Sequence, residues 1–448
     1  MRREAPRDSL VALAERIVNL GKRYGADEAE ATVSDGCEFS VDVRRGEVEN
    51  LVEAGSRFLS FRVIKDQRTA QAASSDLQDE TLRRLVENAV RRAAFGNRDE
   101  CAGLPPLSLE PVDIASLRLF DPQVAEIQTD QKIGLARETE RIALEDRRIT
   151  NSHGASLITD EVTTVLASSN GFVGSYDQTF CSLSLGLQAG ETDEKVEDSW
   201  VSVDRFFQNL EPPETVARKA VERTVRQLHP RKIRTQEVAV IFEPGMTDWL
   251  VGFLFACVSG VAVYQKTTFL AERLGERIGN EKITVIDDGL TPGKLGSRPF
   301  DSEGVACRRT VVLDQGILRS FLCNTYAGRK LNLPTTGNAE GSGVAPNNFF
   351  LLAGSATPQE IIASTEKGLI LTRTIGHGLN PVSGDFSRGA FGLWVEGGEV
   401  AFPVAEVTIS GNLEQVLRNI EIVGNDLDFR APVCGPTVKV AALTVAGE

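Results

Sequence analysis

Histidine is nearly missing from this chain: among 448 residues there are only His153, His229 and His377. None is followed by Glu, and no two lie within a helical turn or two of each other. A hydrolytic zinc centre usually gathers at least two imidazoles, because neutral nitrogen donors hold the ion while leaving a position open for water. Surface or hydrogen-bonded histidines are the simpler reading. The alternative is an autonomous metallopeptidase with a site assembled from His153, His377, carboxylates and Cys434.

Other absences narrow the field further. The seven cysteines, at 37, 101, 181, 257, 307, 323 and 434, form no C-x-x-C and are odd in number. That disfavours a disulfide framework and fits reduced thiols in the cytoplasm. There is no G-x-S-x-G elbow and no Walker lysine. Ser342 lies between Gly341 and Gly343, with no base near it in sequence. Cys434 has no His or Lys close by to lower its pKa. No run of five Lys or Arg occurs, and 49 Lys+Arg against 63 Asp+Glu leave a formal charge of −14, so nucleic acid is not an expected partner. The most apolar stretch, residues 249–263, is shorter than the ~20 residues a spanning helix needs. The N-terminus mixes Arg with Glu and Asp and has no apolar region of a signal peptide, so no membrane association is expected.

What is present is ordinary globular material, 41% apolar and 25% charged, long enough for two or three domains. Helical spacing of Leu10, Leu13, Ala14, Ile17 and Val18 predicts a first helix capped by Asp8 or Ser9. Alternation over 38–43, 58–64 and 69–73 predicts an antiparallel meander. A second helix is expected over 79–95, a third over 122–146, and a proline-bearing connection between them. Strands over 156–169 and 178–189 flank Asn170-Gly171, a hairpin signal. A fourth helix follows Pro212-Pro213 and ends at His229-Pro230.

In the second half, a buried strand over 238–242 precedes a long helix expected over 247–275. Short strands are expected over 283–286, 305–313, 317–323 and 437–445, and a hairpin over 391–403 with Glu396-Gly397-Gly398-Glu399 at its tip. The fold class is therefore α+β: N-terminal helices with an antiparallel sheet, then a mostly antiparallel β domain holding a long buried helix. The expected boundary divides residues 1–230, in one part or as 1–110 and 111–230, from residues 231–448.

Several segments in order resemble the TldD/PmbA family. They are Ser168-Ser169-Asn170-Gly171, Lys266-Thr267-Thr268-Phe269-Leu270, Ile286-Asp287-Asp288-Gly289, Phe300-Asp301-Ser302-Glu303-Gly304 and Thr335-Thr336-Gly337-Asn338. The most specific are GLNPVSGDFSRG over 378–389, GLWVEGG over 392–398 and PVAEVTISGNL over 403–413. The metal-bearing branch of that family has an H-E-x-x-x-H motif on the long helix and a later Cys. Here the helix reads TDWLVGFLFACVSGVAVYQ, with no His. The resemblance therefore points to the PmbA/TldE branch. It implies a heterodimer with a TldD-like catalytic subunit that carries the zinc and cleaves extended or unfolded peptides, while this chain holds no metal and no catalytic residue. Motif specificity nominates Asn338, Ser342, Ser383, Asp385 and Ser387 as substrate-channel residues. A homodimeric peptide-binding module is a further alternative; its Gly-rich loops and strand edges would let a peptide add as a strand.

Overall fold

The computed structural model describes residues 7–107, 112–191 and 195–448. The first six residues of the N-terminal segment and residues 108–111 of the proline-bearing connection lie outside them. The first half contains strands β1 (Glu28–Arg44), β2 (Glu47–Lys65), β3 (Arg68–Ser74), β4 (Ile149–Ser168), β5 (Val173–Ala189) and β6 (Val196–Asp204). They form one antiparallel sheet in the order β3-β2-β1-β4-β5-β6. The segments expected as short strands are parts of longer ones: β1 has 17 residues and β4 has 20. Asp35, Gly36 and Cys37 interrupt the apolar alternation of β1, but pairing to β2 on one side and β4 on the other carries the strand through them. Gly171, with φ 99°, turns β4 into β5 as expected.

Odd-numbered residues of β1 and β4 share one face, since side chains alternate along a strand. Ala29, Ala31, Val33, Val165 and Ala167 pack beneath helices α1 (Arg7–Arg23) and α2 (Asp79–Ala93). Phe39, Val41, Val43, Ala155 and Leu157 pack beneath α3 (Thr129–Ala143) and α4 (Pro213–Val225). Both helix pairs thus cover the same face. The opposite face, with Thr32, Ser34 and Thr164, looks toward the second half of the chain. Two helix starts differ from expectation. α1 is already helical at Arg7, the first described residue, so Asp8 and Ser9 lie within it, and α3 begins at Thr129 after a separate 3₁₀ turn at Val124–Glu126.

In the second half β7 (Gln236–Phe242) runs into α5 (Pro244–Val258), which breaks at Ser259 before the short α6 (Gly260–Tyr264). The single helix expected to reach residue 275 is therefore cut short. Two sheets follow. One uses β8 (Val285–Asp288), β9 (Arg309–Asp314), β10 (Ile317–Leu318), β13 (Phe349–Leu351) and β19 (Val433–Cys434), in the order β10-β9-β8-β13-β19. Between them lie α7 (Thr325–Leu331) and the small hairpin of β11 (Ala339–Glu340) and β12 (Gly343–Val344).

The other sheet uses β7 with β14 (Lys367–Ile375), β16 (Asp385–Glu396), β17 (Glu399–Asn412) and β20 (Val438–Ala446). The pairings β7–β14, β14–β16, β16–β17, β17–β20 and β20–β7 close these five strands into a ring. Only β7–β14 is parallel in that ring. β15 (Leu379–Asn380) and β18 (Ile420–Val423) attach at β16 and β20, with α8 (Pro358–Ala363) and α9 (Leu413–Arg418) on connections. Gly397 and Gly398, both at positive φ, make the tight turn between β16 and β17. The buried helix is where the apolar run puts it: Leu250, Phe253, Leu254 and Cys257 of α5 pack in one core with Val240, Phe242, Leu369 and Trp394. Among the described residues no helix is long and apolar enough to cross a membrane.

Candidate functional site

α5 starts as its sequence dictates. Glu243 holds an extended conformation at the N-cap and Pro244 takes the first helical position, where its missing N–H costs nothing. Arg226, which caps the end of α4, donates to the Glu243 carboxylate at 2.7 and 2.9 Å, and Arg223 within the helix at 3.2 Å. Burial works against the charged form of Glu243, yet these two guanidinium groups hold its carboxyl below the ordinary range.

Within the helix, PGMTDWLVGFLFACV, the one charged residue is Asp248. Its Oδ1 accepts from the backbone N–H of Gly435 at 2.9 Å. Burial lifts its pKa to about 7, against that hydrogen bond and the charge of Arg430. Beside it, Cys434 is fully buried and burial pushes its thiol up to about 12, which disfavours a nucleophilic thiolate at neutral pH. On the next residue of α5, the Trp249 ring meets Phe386 edge-on, with centroids 5.4 Å apart, and Arg388 lies over it at 5.2 Å.

The three histidines are scattered and exposed. His153 is on β4, 3.4 Å from Glu197, while His229 and His377 lie in connections outside helices and strands. Among the described residues no three His, Cys, Asp or Glu side chains come together in a way that could hold a metal ion. No step through a metal is built on the described side chains.

The five nominated channel residues fall into two places. Asn338 is fully buried and all its amide atoms are used: Nδ2 donates to Asp287 at 2.8 Å and to the Ala345 carbonyl at 3.1 Å, and Oδ1 accepts from Thr336 at 2.7 Å. Asn347 gives Asp287 two more donors, at 2.8 and 2.9 Å, and burial still raises the Asp287 carboxyl to about 6. Asn338 is thus a bracket for the loop that carries exposed Ser342, whose carbonyl accepts from Asn324. Ser383, Asp385 and Ser387 surround the turn into β16, all exposed; Asn412 ties Ser383 and Asp385 together at 2.9 Å each. Hydrogen bonds from Asn412 and Ser383 lower the pKa of Asp385.

Close to the first group, a cleft of about 410 Å³ opens between the uncovered face of the N-terminal sheet and the second half. Thr32, Ser34, Thr164 and Gln178 line one wall and Arg298, Ser302 and Glu340 the other. Arg298 reaches Asn347 at 3.0 Å and Glu340 at 2.7 Å, so the cleft wall and the Asp287 bracket form one network. Asp301, in the motif over 300–304, accepts from three backbone N–H groups, and burial raises its carboxyl to about 7, with the charge of Glu303 adding to the effect. Asp248, Trp249 and Arg388 escaped sequence reasoning. A lone carboxylate in an apolar helix was the available signal for Asp248; nothing in the sequence joins Trp249 to Arg388.

Comparison with known proteins gives a consistent picture. Models of the PmbA/TldA metallopeptidase family match as domain 1 over residues 29–93, central domain over 122–228 and C-terminal domain over 235–447. Metalloprotease PmbA of Escherichia coli O157:H7 is 35% identical over 424 residues, covering 94% of this chain and 93% of that protein. The Haemophilus influenzae PmbA homolog is 33% identical over 435 residues, covering 96% and 94%. Among solved structures, a putative modulator of DNA gyrase from Bacteroides thetaiotaomicron is similar with a TM-score of 0.91 and 25% identity, covering 98% of this chain and 99% of that one. TldE from Thermococcus kodakarensis has a TM-score of 0.84 over 97% of this chain and 100% of its own; at 21% identity it speaks for the fold alone.

Proposed function

The chain belongs to the PmbA/TldD metallopeptidase family, and from that premise we propose that it is the metal-free subunit of a cytoplasmic two-subunit peptidase. In this reading a TldD-like partner binds zinc and cuts extended or unfolded peptides, and this chain shapes the chamber that admits them. One observation carries it: α5, the helix on which the metal-bearing branch of the family carries its H-E-x-x-x-H motif, holds Asp248 and no imidazole, and no other metal-donor set exists among the described residues. Seven cysteines, odd in number and with no C-x-x-C, accord with a reducing compartment.

The test compares the purified chain alone with the co-expressed pair. The lone chain should carry substoichiometric zinc and leave an unfolded peptide intact, and the pair should cleave it with zinc bound by the partner. Stoichiometric zinc and cleavage by the lone chain would overturn the proposal.

A further inference from the structure

The first half of the chain is one unit built twice. Helix, three strands and helix run as α1-β1-β2-β3-α2 and again as α3-β4-β5-β6-α4. The sheet order β3-β2-β1-β4-β5-β6 is symmetric about its centre, where β1 and β4 pair antiparallel. A pseudo-twofold axis therefore passes between Gly36 and Val162, which lie opposite each other. Two residues to one side are Ser34 and Thr164, flanked by Phe58 on β2 and Tyr176 on β5. Two residues to the other side are Glu38 and Asp160, flanked by Ala54 and Phe180. By alternation, all of these side chains are on the face that the helices leave uncovered.

The two ends of that face differ. At the Ser34 end the chain's own second half closes it: Phe300 meets Tyr176 edge-on at 5.3 Å, and Glu303 reaches Arg62 at 3.1 Å. At the Glu38 end, Glu38 and Ala54 are exposed, and Val52, Ile158, Val162 and Phe180 are partly exposed. Alongside, β3 pairs only with residues 59–65 of β2, so among the described residues 47–58 keep a free outer edge. A free edge of this length is a template for pairing with another chain.

Charge at the open end is one-sided. Glu38 and Asp160 are directly opposed, a like-charge pair that destabilises a sheet. Burial raises the Asp160 carboxyl to about 6, and the Glu38 charge adds to it. The strand segments that make this end, residues 36–42, 50–56, 156–162 and 178–184, contain no Lys or Arg. A second copy docking through the same face would set these carboxylates against themselves. A different subunit with a cation among apolar groups would relieve the repulsion and cover the exposed rings. Four strands ~4.8 Å apart, each giving about eight residues at ~3.3 Å, offer roughly 500 Å² in projection. The free edge adds to that, against about 800 Å² that a standard interface takes from each partner.

We propose that this open end, centred on Glu38 and Asp160, is the seat of the TldD-like partner, which brings a Lys or Arg to the two carboxylates. The partner thus covers the end of the sheet that is symmetry-equivalent to the one this chain covers itself. The assignment rests on the two-subunit role proposed above.

Calorimetric titration of the full-length chain with the full-length TldD-like chain of the same organism tests it. Glu38→Arg should weaken association about tenfold or more, since a like charge replaces an attractive one. Ala54→Arg, at an exposed position in the same row, should do the same and serves if Glu38→Arg lowers the melting temperature. Glu80→Lys on α2, at the helix-covered side, should bind like the parent. Parent-like affinity in both Glu38→Arg and Ala54→Arg would overturn the seat. Loss of self-association of the lone chain in these variants, with the pair unaffected, would also overturn it and assign the face to a second copy. If the variants bind like the parent while the pair still cleaves an unfolded peptide, the seat falls and the subunit role stands. If the parent chains do not associate at all, both fall.

Discussion

A single carboxylate in an apolar helix is expensive unless it is neutral or paired, and Asp248 has one backbone donor. Its folded pKa of about 7 lies well above the ordinary value of 3.8. Folding therefore takes up a proton between those values. The associated stability is fully present below the unfolded pKa and is lost as pH rises through 7. Asp248→Asn keeps an acceptor for Gly435 and removes the charge. The variant should be more stable than the parent at pH 8, by on the order of 2–4 kcal/mol, with the difference vanishing near pH 4. Urea denaturation at the two pH values reads this directly. For Asn338 the expectation is the reverse. Asn338→Ala withdraws a donor from buried Asp287 and leaves the Ala345 carbonyl unmet, which should cost about 1–3 kcal/mol in the same assay. Asn338 was visible in the sequence as part of a motif. Its role was not, because besides nearby Thr336 its partners lie 51 residues before it and 7 after. Asp248 has the same difficulty in stronger form: it meets its donor across 187 residues, and no local pattern encodes that meeting.

Elements with strong local signals were legible. The Gly397-Gly398 turn, the Asn170-Gly171 hairpin and the amphipathic α2 were all predicted from residues close in sequence, and the structure has them. The end of α5 was not legible, because residues 249–263 stay apolar through it. What stops the helix is tertiary. The N–H of Gly260 donates to the Leu322 carbonyl at 2.7 Å, and Ser259 adopts ψ 124° to let it. A Cβ at position 260 would lie 2.6 Å from Cys323 Sγ and 3.0 Å from the Leu322 oxygen. Gly260→Ala should therefore destabilise the chain by about 1–3 kcal/mol through overpacking, despite alanine's better helix propensity. A rise in melting temperature instead would mean that the backbone at Ser259 can relax and that local propensity governs the break. The closed ring of five strands was hidden for a related reason. Its closure requires β7 to pair with β14, more than a hundred residues later and in parallel, whereas sequence alternation reports only which side of a strand is buried.

At the scale of the whole molecule, one arginine links the sheet of the first half to the loops of the second. Arg62 on β2 lies 3.1 Å from Glu30 on β1 and 3.1 Å from Glu303, and all three side chains are largely buried. Glu303 also accepts from the N–H of Thr325 at 2.9 Å. Burial raises the Glu30 carboxyl even with Arg62 beside it. Removing the cation leaves two carboxylates facing each other in low dielectric, so Arg62→Ala should cost about 3–5 kcal/mol near neutral pH. The pH dependence follows from the same sign. A carboxyl whose folded pKa is raised loses its contribution to stability as pH increases, so the deficit of the variant should be largest at high pH and narrow as the pH falls toward the ordinary carboxylate range. Neutralising all three positions, as Arg62→Met with Glu30→Gln and Glu303→Gln, should recover much of the loss, because a buried ion cluster offers little over packed neutral side chains. Whether the triad also couples the two halves is read from the denaturation profile. If it does, Arg62→Ala should unfold in two steps or with a lower denaturant slope while the neutral triple variant unfolds in one. A single sharp transition in both would place the coupling elsewhere, in the aromatic contact of Phe172 and Tyr176 with Phe300 or in the grip of Arg205 on the carbonyls of Lys294, Leu295 and Ser297.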